Sequence, residues 1–452
     1  MAVTKLPTKP TKSSAVVDLA PAQVGICPGL PERSEKVIEV ANRLLQKNHD
    51  EFHIFWRDFA GHNHTAHSLL TRLALGADST ELENGFVDNK RDQRARPEVD
   101  EVVIGKLGTD DGFFELLGQL PQYTNYMVFF EREIQKKGWQ QVVNERCFSR
   151  TRNADELLAR LFEGAFHPII HLGLGVEFEQ PTIVAEALAQ AATDTPFGAP
   201  AFMRNAEREA EKYAATAESR RLVDLFHEVR DNETTRNAAQ WSDGPMKMKV
   251  GVLGRAMTEM AALAAQFRVK SETLEQQTAE MISCCAYFAA GAQRPGKERK
   301  IDFFYMHDVT GSIFLTVFNR QPWIRLEDKI RLVEHKARFD LVWYATCGAP
   351  ALNVDDIDGY TTGVSASWSW DETFRAARGL NDDGHVAKFV RAIKNGEESS
   401  REFEDDKFPV KGDMWLKVAH MAYDSTWNMP EEKKWIMFAG FDQNWGQVPD
   451  LA

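Results

Sequence analysis

The sequence predicts a mostly α-helical protein, a large multi-helix body around a buried metal site with few or no strands. Three observations predict it. Apolar residues recur at helical spacing along most of the 452 residues. Alternating strand patterns are scarce. Histidines gather inside the helical segments, above all in His167-Pro168-Ile169-Ile170-His171.

In chain order, residues 1–30 are expected as a disordered or extended tail and 31–452 as a single α-helical domain. Met1 to Ala15 is rich in Lys, Thr, Pro and Ser and lacks the apolar core of a secretory signal. Val37, Ile38, Ala41, Leu44 and Leu45 make the first apolar stripe, and Ala66, Leu69, Leu70 and Leu73 the second, which stops at Gly76. Asp78 with Glu81 has the spacing of a capping box for the next helix. Further helices are predicted over 111–119, 125–136, 155–174, 181–192, 204–228, 249–265, 271–291, 302–318, 325–345, 385–394 and 411–424. Loops are expected over 90–100, 193–201, 230–245, 293–300, 348–370 and 395–410. The segment 348–370 is long enough for an active-site lid. The acidic run from Glu397 to Asp406 reads as a solvated surface loop. No repeat or sustained heptad is present.

The composition, 43% hydrophobic and 27% charged, is that of a globular protein. A net charge of −13 argues against nucleic acid and against anionic membranes, both of which need basic patches. No apolar run reaches a spanning length. The five cysteines are odd in number and scattered, which fits a reducing, cytoplasmic compartment. Cys284-Cys285 sits in a run from Met281 to Phe288 that reads as a buried helix.

His167 and His171 are one turn apart on a helix, so both rings can face one ion. Pro168 suits the first helical turn. The second motif residue is Pro rather than Glu, so the zinc-protease pattern is absent. Chance alone places about 0.3 such pairs in a chain with this many histidines, and two packed core histidines are the plain alternative. A second cluster, His62-Asn63-His64-Thr65-Ala66-His67, opens a helix. His67 lies nearer the apolar stripe than His64 and is the better inward ligand; the alternative is polar histidines in water. His307 lies in the apolar run from Phe303 to Leu315 and is expected to be buried. A buried imidazole left without a partner costs about 1–3 kcal/mol, so a metal, carboxylate or carbonyl should meet it. In Asp382-Asp383-Gly384-His385-Val386-Ala387-Lys388, either aspartate can cap a helix. The stripe of Val386, Phe389, Val390 and Ile393 leaves Lys388 on the solvent side. No Gly-x-Gly-x-x-Gly, Walker loop or Gly-x-Ser-x-Gly elbow occurs, so redox chemistry here needs a metal rather than a flavin.

Taken together, four motifs resemble the questin oxidase-like proteins of fungal aromatic polyketide pathways. They are His62 to Leu70 with Ala74-Leu75-Gly76-Ala77, His167 to Gly173, Met306-His307-Asp308-Val309-Thr310, and Asp383 to Lys388. The resemblance implies oxidative opening of the central ring of an anthraquinone, with NADPH as reductant and a Baeyer–Villiger-like or dioxygenase outcome. It also implies Fe(II) held by His67, His167, His171, His307 and Lys388, the lysine as its CO2-derived carbamate; His64 and His385 match the pattern as well. The carbamate has an independent physical case. Four neutral imidazoles leave a buried Fe²⁺ uncompensated, and a desolvated lysine beside a cation has a lowered pKa and can take up CO2 to become an anion. The expected function is therefore a non-haem iron oxygenase acting on an anthraquinone-type polyketide and O2, with the 28 Phe and 11 Trp available to line a flat apolar pocket. Its rivals are a zinc hydrolase using the same histidines and a non-catalytic helical scaffold.

Overall fold

The computed structural model describes residues 14–213, 218–361 and 363–451. These form 24 α-helices and, among the described residues, no strand; four isolated β-bridges are the extended pairings present. Among the described residues no helix is long and apolar enough to cross a membrane.

Eleven helices build the body around the site: α1 (Glu35–Glu51), α2 (Thr65–Ala74), α3 (Tyr123–Lys137), α4 (His167–Glu177), α5 (Pro181–Thr193), α6 (Leu274–Gly291), α7 (Phe303–Asn319), α8 (Leu326–Thr346), α9 (Trp370–Gly379), α10 (His385–Ser400) and α11 (Met414–Thr426). α4, α5 and α7 are buried along nearly their whole length. Helices apolar all round belong at the centre. α7 packs against α4, α6, α8 and α10, and α5 lies between α4 and α3.

Two glycines allow this central packing. A Cβ on Gly173 of α4 would stand 2.1 Å from Cδ1 of Phe314 on α7, so only glycine lets these helices close. Gly384 (φ +100) caps α10 in the left-handed region, and a Cβ there would lie 2.7 Å from that of Ser68 on α2.

Several sequence expectations change. The helix expected over 155–174 is two helices, Arg152–Arg160 and α4, joined through left-handed Ala165 (φ 52) and Phe166 (φ 64). Pro168 is the cause: its ring would clash with a preceding helical turn, so a helix must restart just before it. The 204–228 segment is likewise divided, into Ala199–Tyr213 and Leu222–Asp231, with 214–217 outside the described residues. That over 249–265 begins in a π-turn, Lys247–Val252, and breaks at Ala256, where Gly251 and Gly254 weaken helix propensity. The acidic run is not all loop, because α10 continues through Glu397 to Ser400, tied by a Lys394–Glu397 ion pair.

Residues 1–13 of the expected tail lie outside the described residues. From Ser14 the chain is non-helical but docked: Val17, Leu19 and Cys27 are buried, and the Asp18 and Ile26 amides donate to Gln180 and Glu177 at 2.9 and 2.7 Å. The described residues of 348–370, which include a short helix Asp355–Asp358, also pack onto the body, with polar contacts to Tyr287, Tyr344 and Asp424.

Candidate metal centre

Four helices deliver histidines to one place. α2 brings His64, its N-cap, and His67; α4 brings His167 and His171; α7 brings His307; α10 brings His385 and Lys388. All seven are buried, so polar histidines in water at the start of α2 are ruled out.

One ring nitrogen from each of His64, His167, His307 and His385 lies within 4.8 Å of the others. The closest pairs are Nε2 to Nε2: 2.8 Å between His64 and His167, and 3.2 Å between His307 and His385. The far side of each ring explains this. Nδ1 of His167 donates to the Gly164 carbonyl at 2.5 Å, Nδ1 of His307 to the Phe303 carbonyl at 2.7 Å, and Nδ1 of His385 to Asp383. Nδ1 of His64 faces the other Asp383 oxygen at 3.4 Å. A neutral imidazole carries one proton, so with Nδ1 protonated each Nε2 presents a lone pair. Burial, reinforced by neighbouring positive groups, pushes His64, His167 and His307 well below their ordinary pKa, and burial lowers His385 against the pull of Asp383. Four converging lone pairs repel one another unless a proton or a cation lies among them. A cation with an affinity for nitrogen fits this donor set, and the oriented Nδ1 partners are those metal-bound histidines usually have.

His67 and His171 form an adjoining pair. His67 Nε2 meets His171 Nδ1 at 3.0 Å, and His171 Nε2 is taken by Glu186 at 2.7 Å. Behind Glu186 lies His49, at 2.7 Å, and then Glu131 at 2.9 Å. Against its burial, hydrogen bonds from His171 and His49 hold Glu186 down at about 2, and Glu131 with Glu186 raises His49 to about 9. His62 stacks on His167 with ring centres 3.9 Å apart and is anchored to Asp194 at 2.8 Å.

Lys388 overturns its periodicity reading. It is buried, and its Nζ has no hydrogen-bond partner. Burial lowers its pKa to about 8, with Asp383 and Asp382 opposing. The apolar stripe misled because α10 is buried on more than one face: Lys388, Arg391 and Ala392 lie inside along with Phe389. A buried amine without a partner is costly and calls for one.

Sequence reasoning overlooked Glu186, His49 and Asp194, and took Asp383 only for a cap. Asp382 accepts from the Gly384 and Val386 amides at 2.7 and 3.1 Å, and Asp383, which accepts from the His385 amide at 3.4 Å, also meets the histidine rings. Glu186 had a signal: it is the sole charged residue of α5, a helix made mostly of Ala, Val, Ile and Leu.

Comparison with known proteins matches the questin oxidase-like family model over residues 61–393. Baeyer-Villiger oxidase ptaJ of Pestalotiopsis fici is 50% identical, over 97% of this chain and 99% of its own length. Questin oxidases of Aspergillus terreus and Aspergillus fumigatus are each 48% identical, over 96% and 94% of this chain and 97% of their own length in both cases. The chain belongs to the questin oxidase-like family, and it is an oxidoreductase.

Proposed function

We propose that the protein is a non-haem iron oxygenase that opens the central ring of an anthraquinone-type polyketide in fungal secondary metabolism. The observation that carries the reading is the convergence of four imidazole lone pairs in a buried chamber. We assign ligation to His64, His167, His307, His385 and Lys388 as its carbamate, with the His67–His171–Glu186 chain as their neighbour and support. The names of the relatives, questin oxidase and Baeyer-Villiger oxidase, support the substrate and reaction class.

Iron(II) bound there supplies activation of O2, which closed-shell side chains do not provide. Protein groups do the rest. Nδ1 acceptors hold the His167, His307 and His385 rings in place, His62 braces His167, and the carbamate contributes the negative charge a buried dication needs. The surrounding apolar helices exclude water. In a Baeyer–Villiger outcome one carbon–carbon bond beside the quinone carbonyl breaks and one oxygen atom enters the gap, giving a ring-expanded lactone that water then hydrolyses to the ring-opened carboxylic acid and phenol. The second oxygen atom leaves as water, taking two protons and two electrons from a reductant such as NADPH. In a dioxygenase outcome both atoms enter the product, as carboxylic acid and phenol, and the same reductant supplies the two electrons, with two protons, that balance the ring opening.

The test is turnover of an anthraquinone with iron, reductant and ¹⁸O2. The expected result is a ring-opened product carrying one or two labelled atoms. Label arriving only from water, with full activity on zinc, supports the hydrolase rival instead.

A further inference from the structure

Beside the histidine chamber the surface opens into a cleft of about 590 Å³. Leu380 and Asn381, which precede α10, form one wall, and the segment after α11 forms the other. The indole of Trp427 lines it while 44% exposed, with Met429 and Pro430 alongside. Asn428, in the left-handed region at φ 56, turns the chain directly after the indole. The walls are tied together where Lys434 Nζ bonds the Asn381 carbonyl and the Glu431 carboxylate, both at 2.9 Å. Glu431 is the link to the chamber: one of its oxygens lies within 4.8 Å of donor atoms of Asp383 and His385. One side chain thus spans from the cleft to a candidate metal ligand. Arg91 stands at the rim, 54% exposed, with Glu431 at 3.6 Å and Asp92 at 3.9 Å, too far for either to fill its hydrogen-bonding fork.

We propose that this cleft binds the substrate, taking a planar arene that bears an acidic phenol. The proposal rests on the oxygenase reading and adds the site and the recognition chemistry. The arene lies against the Trp427 face and the Met429 sulfur, both of which favour aromatic surfaces. The phenolate oxygen meets the Arg91 guanidinium, whose donors suit an anionic oxygen. The cleft is more charged than the apolar pocket expected from the Phe and Trp content, and that charge is what selects a phenol over a neutral hydrocarbon.

The probe is 1,8-dihydroxyanthraquinone, with its dimethyl ether as the non-ionising control. Binding is measured by calorimetry on metal-loaded protein, alongside KM, kcat, metal content and melting temperature. Trp427→Ala is expected to weaken binding and raise KM about tenfold, the scale of one lost aromatic contact, with metal content and melting temperature unchanged. Arg91→Ala is expected to lower affinity for the phenol to that for the ether. Its affinity for the ether should stay at the wild-type value, which a merely structural role for Arg91 would not produce. Wild-type KM and affinity in both variants overturn the proposal. Trp427-dependent binding without oxidation of the bound arene supports the cleft and overturns the oxygenase reading, so the two fail separately.

Discussion

Three of the four converging histidines are oriented by what their Nδ1 bonds, a carbonyl for His167 and His307 and Asp383 for His385, while His64 Nδ1 only faces Asp383 at 3.4 Å. The account therefore separates ligands from supports. Alanine at His64, His167, His307 or His385 should each abolish stoichiometric iron with helical content retained. Asp383→Asn, which alters the partner of the His385 Nδ1, should leave iron bound but weaken its affinity about 10–100-fold, as loss of a ligand's orienting partner does. Metal analysis after equilibrium dialysis reads both results; full iron occupancy in His167→Ala would contradict the assignment. Lys388 makes a prediction of its own. Protein loaded in ¹³CO2 should show a carbamate carbon signal that Lys388→Arg lacks, and stripping CO2 should weaken iron binding in the wild type but not in Lys388→Glu. Sequence spacing pointed to the motifs carrying these residues, but not to which ring of each pair faces the chamber. His67 lies nearer the apolar stripe than His64, yet the ring nitrogen of His64 joins the four. Periodicity separates apolar from polar faces and cannot tell two buried faces apart.

Helices set the distances within the chamber, and their close approaches carry an energetic signature. Gly173→Ala forces a Cβ into the Phe314 ring. Overpacking of this kind costs about 1–3 kcal/mol, so the melting temperature should fall by about 1–3 °C and iron affinity should fall with it, since α4 and α7 each carry a proposed ligand. An unchanged melting temperature would show that the helices can part freely. The trio Glu131–His49–Glu186, which links α3, α1 and α5, predicts a pH dependence. His49 is raised from 6.5 to about 9, so its stabilising contribution is complete below about 6.5 and is lost as pH rises through 9. Glu186 is lowered from 4.5 to about 2, so its contribution is complete above about 4.5 and is lost as pH falls through 2. The melting-temperature gap between wild type and His49→Gln should be widest near pH 5–6 and narrow by pH 9–10; a gap constant over that range would contradict the charge assignment. Existence of the long helices was legible in the sequence, as α6, α7 and α8 show. Their interruptions were not, because 155–174 keeps its apolar spacing across a break that Pro168 imposes through sterics.

At the scale of the whole molecule, a helical body holds a nitrogen-rich cluster beside an open, partly charged cleft, and 97% of the chain aligns with a relative named Baeyer-Villiger oxidase. The fold class followed from periodicity alone. The cluster required the fold, since His49 lies 137 positions from Glu186 of α5, Asp194 at the end of α5 lies 132 positions from His62, and none of His49, Glu186 and Asp194 belongs to a motif. The central claim is that these helices hold one iron ion on four histidines. Crystals of protein loaded anaerobically with iron(II), measured by anomalous diffraction on both sides of the iron absorption edge, test it most directly. The account predicts a single strong iron peak per chain in contact with Nε2 of His64, His167, His307 and His385 and with the modified Lys388 side chain. An iron peak elsewhere, or an empty chamber with the imidazoles hydrogen-bonded to one another, would contradict it.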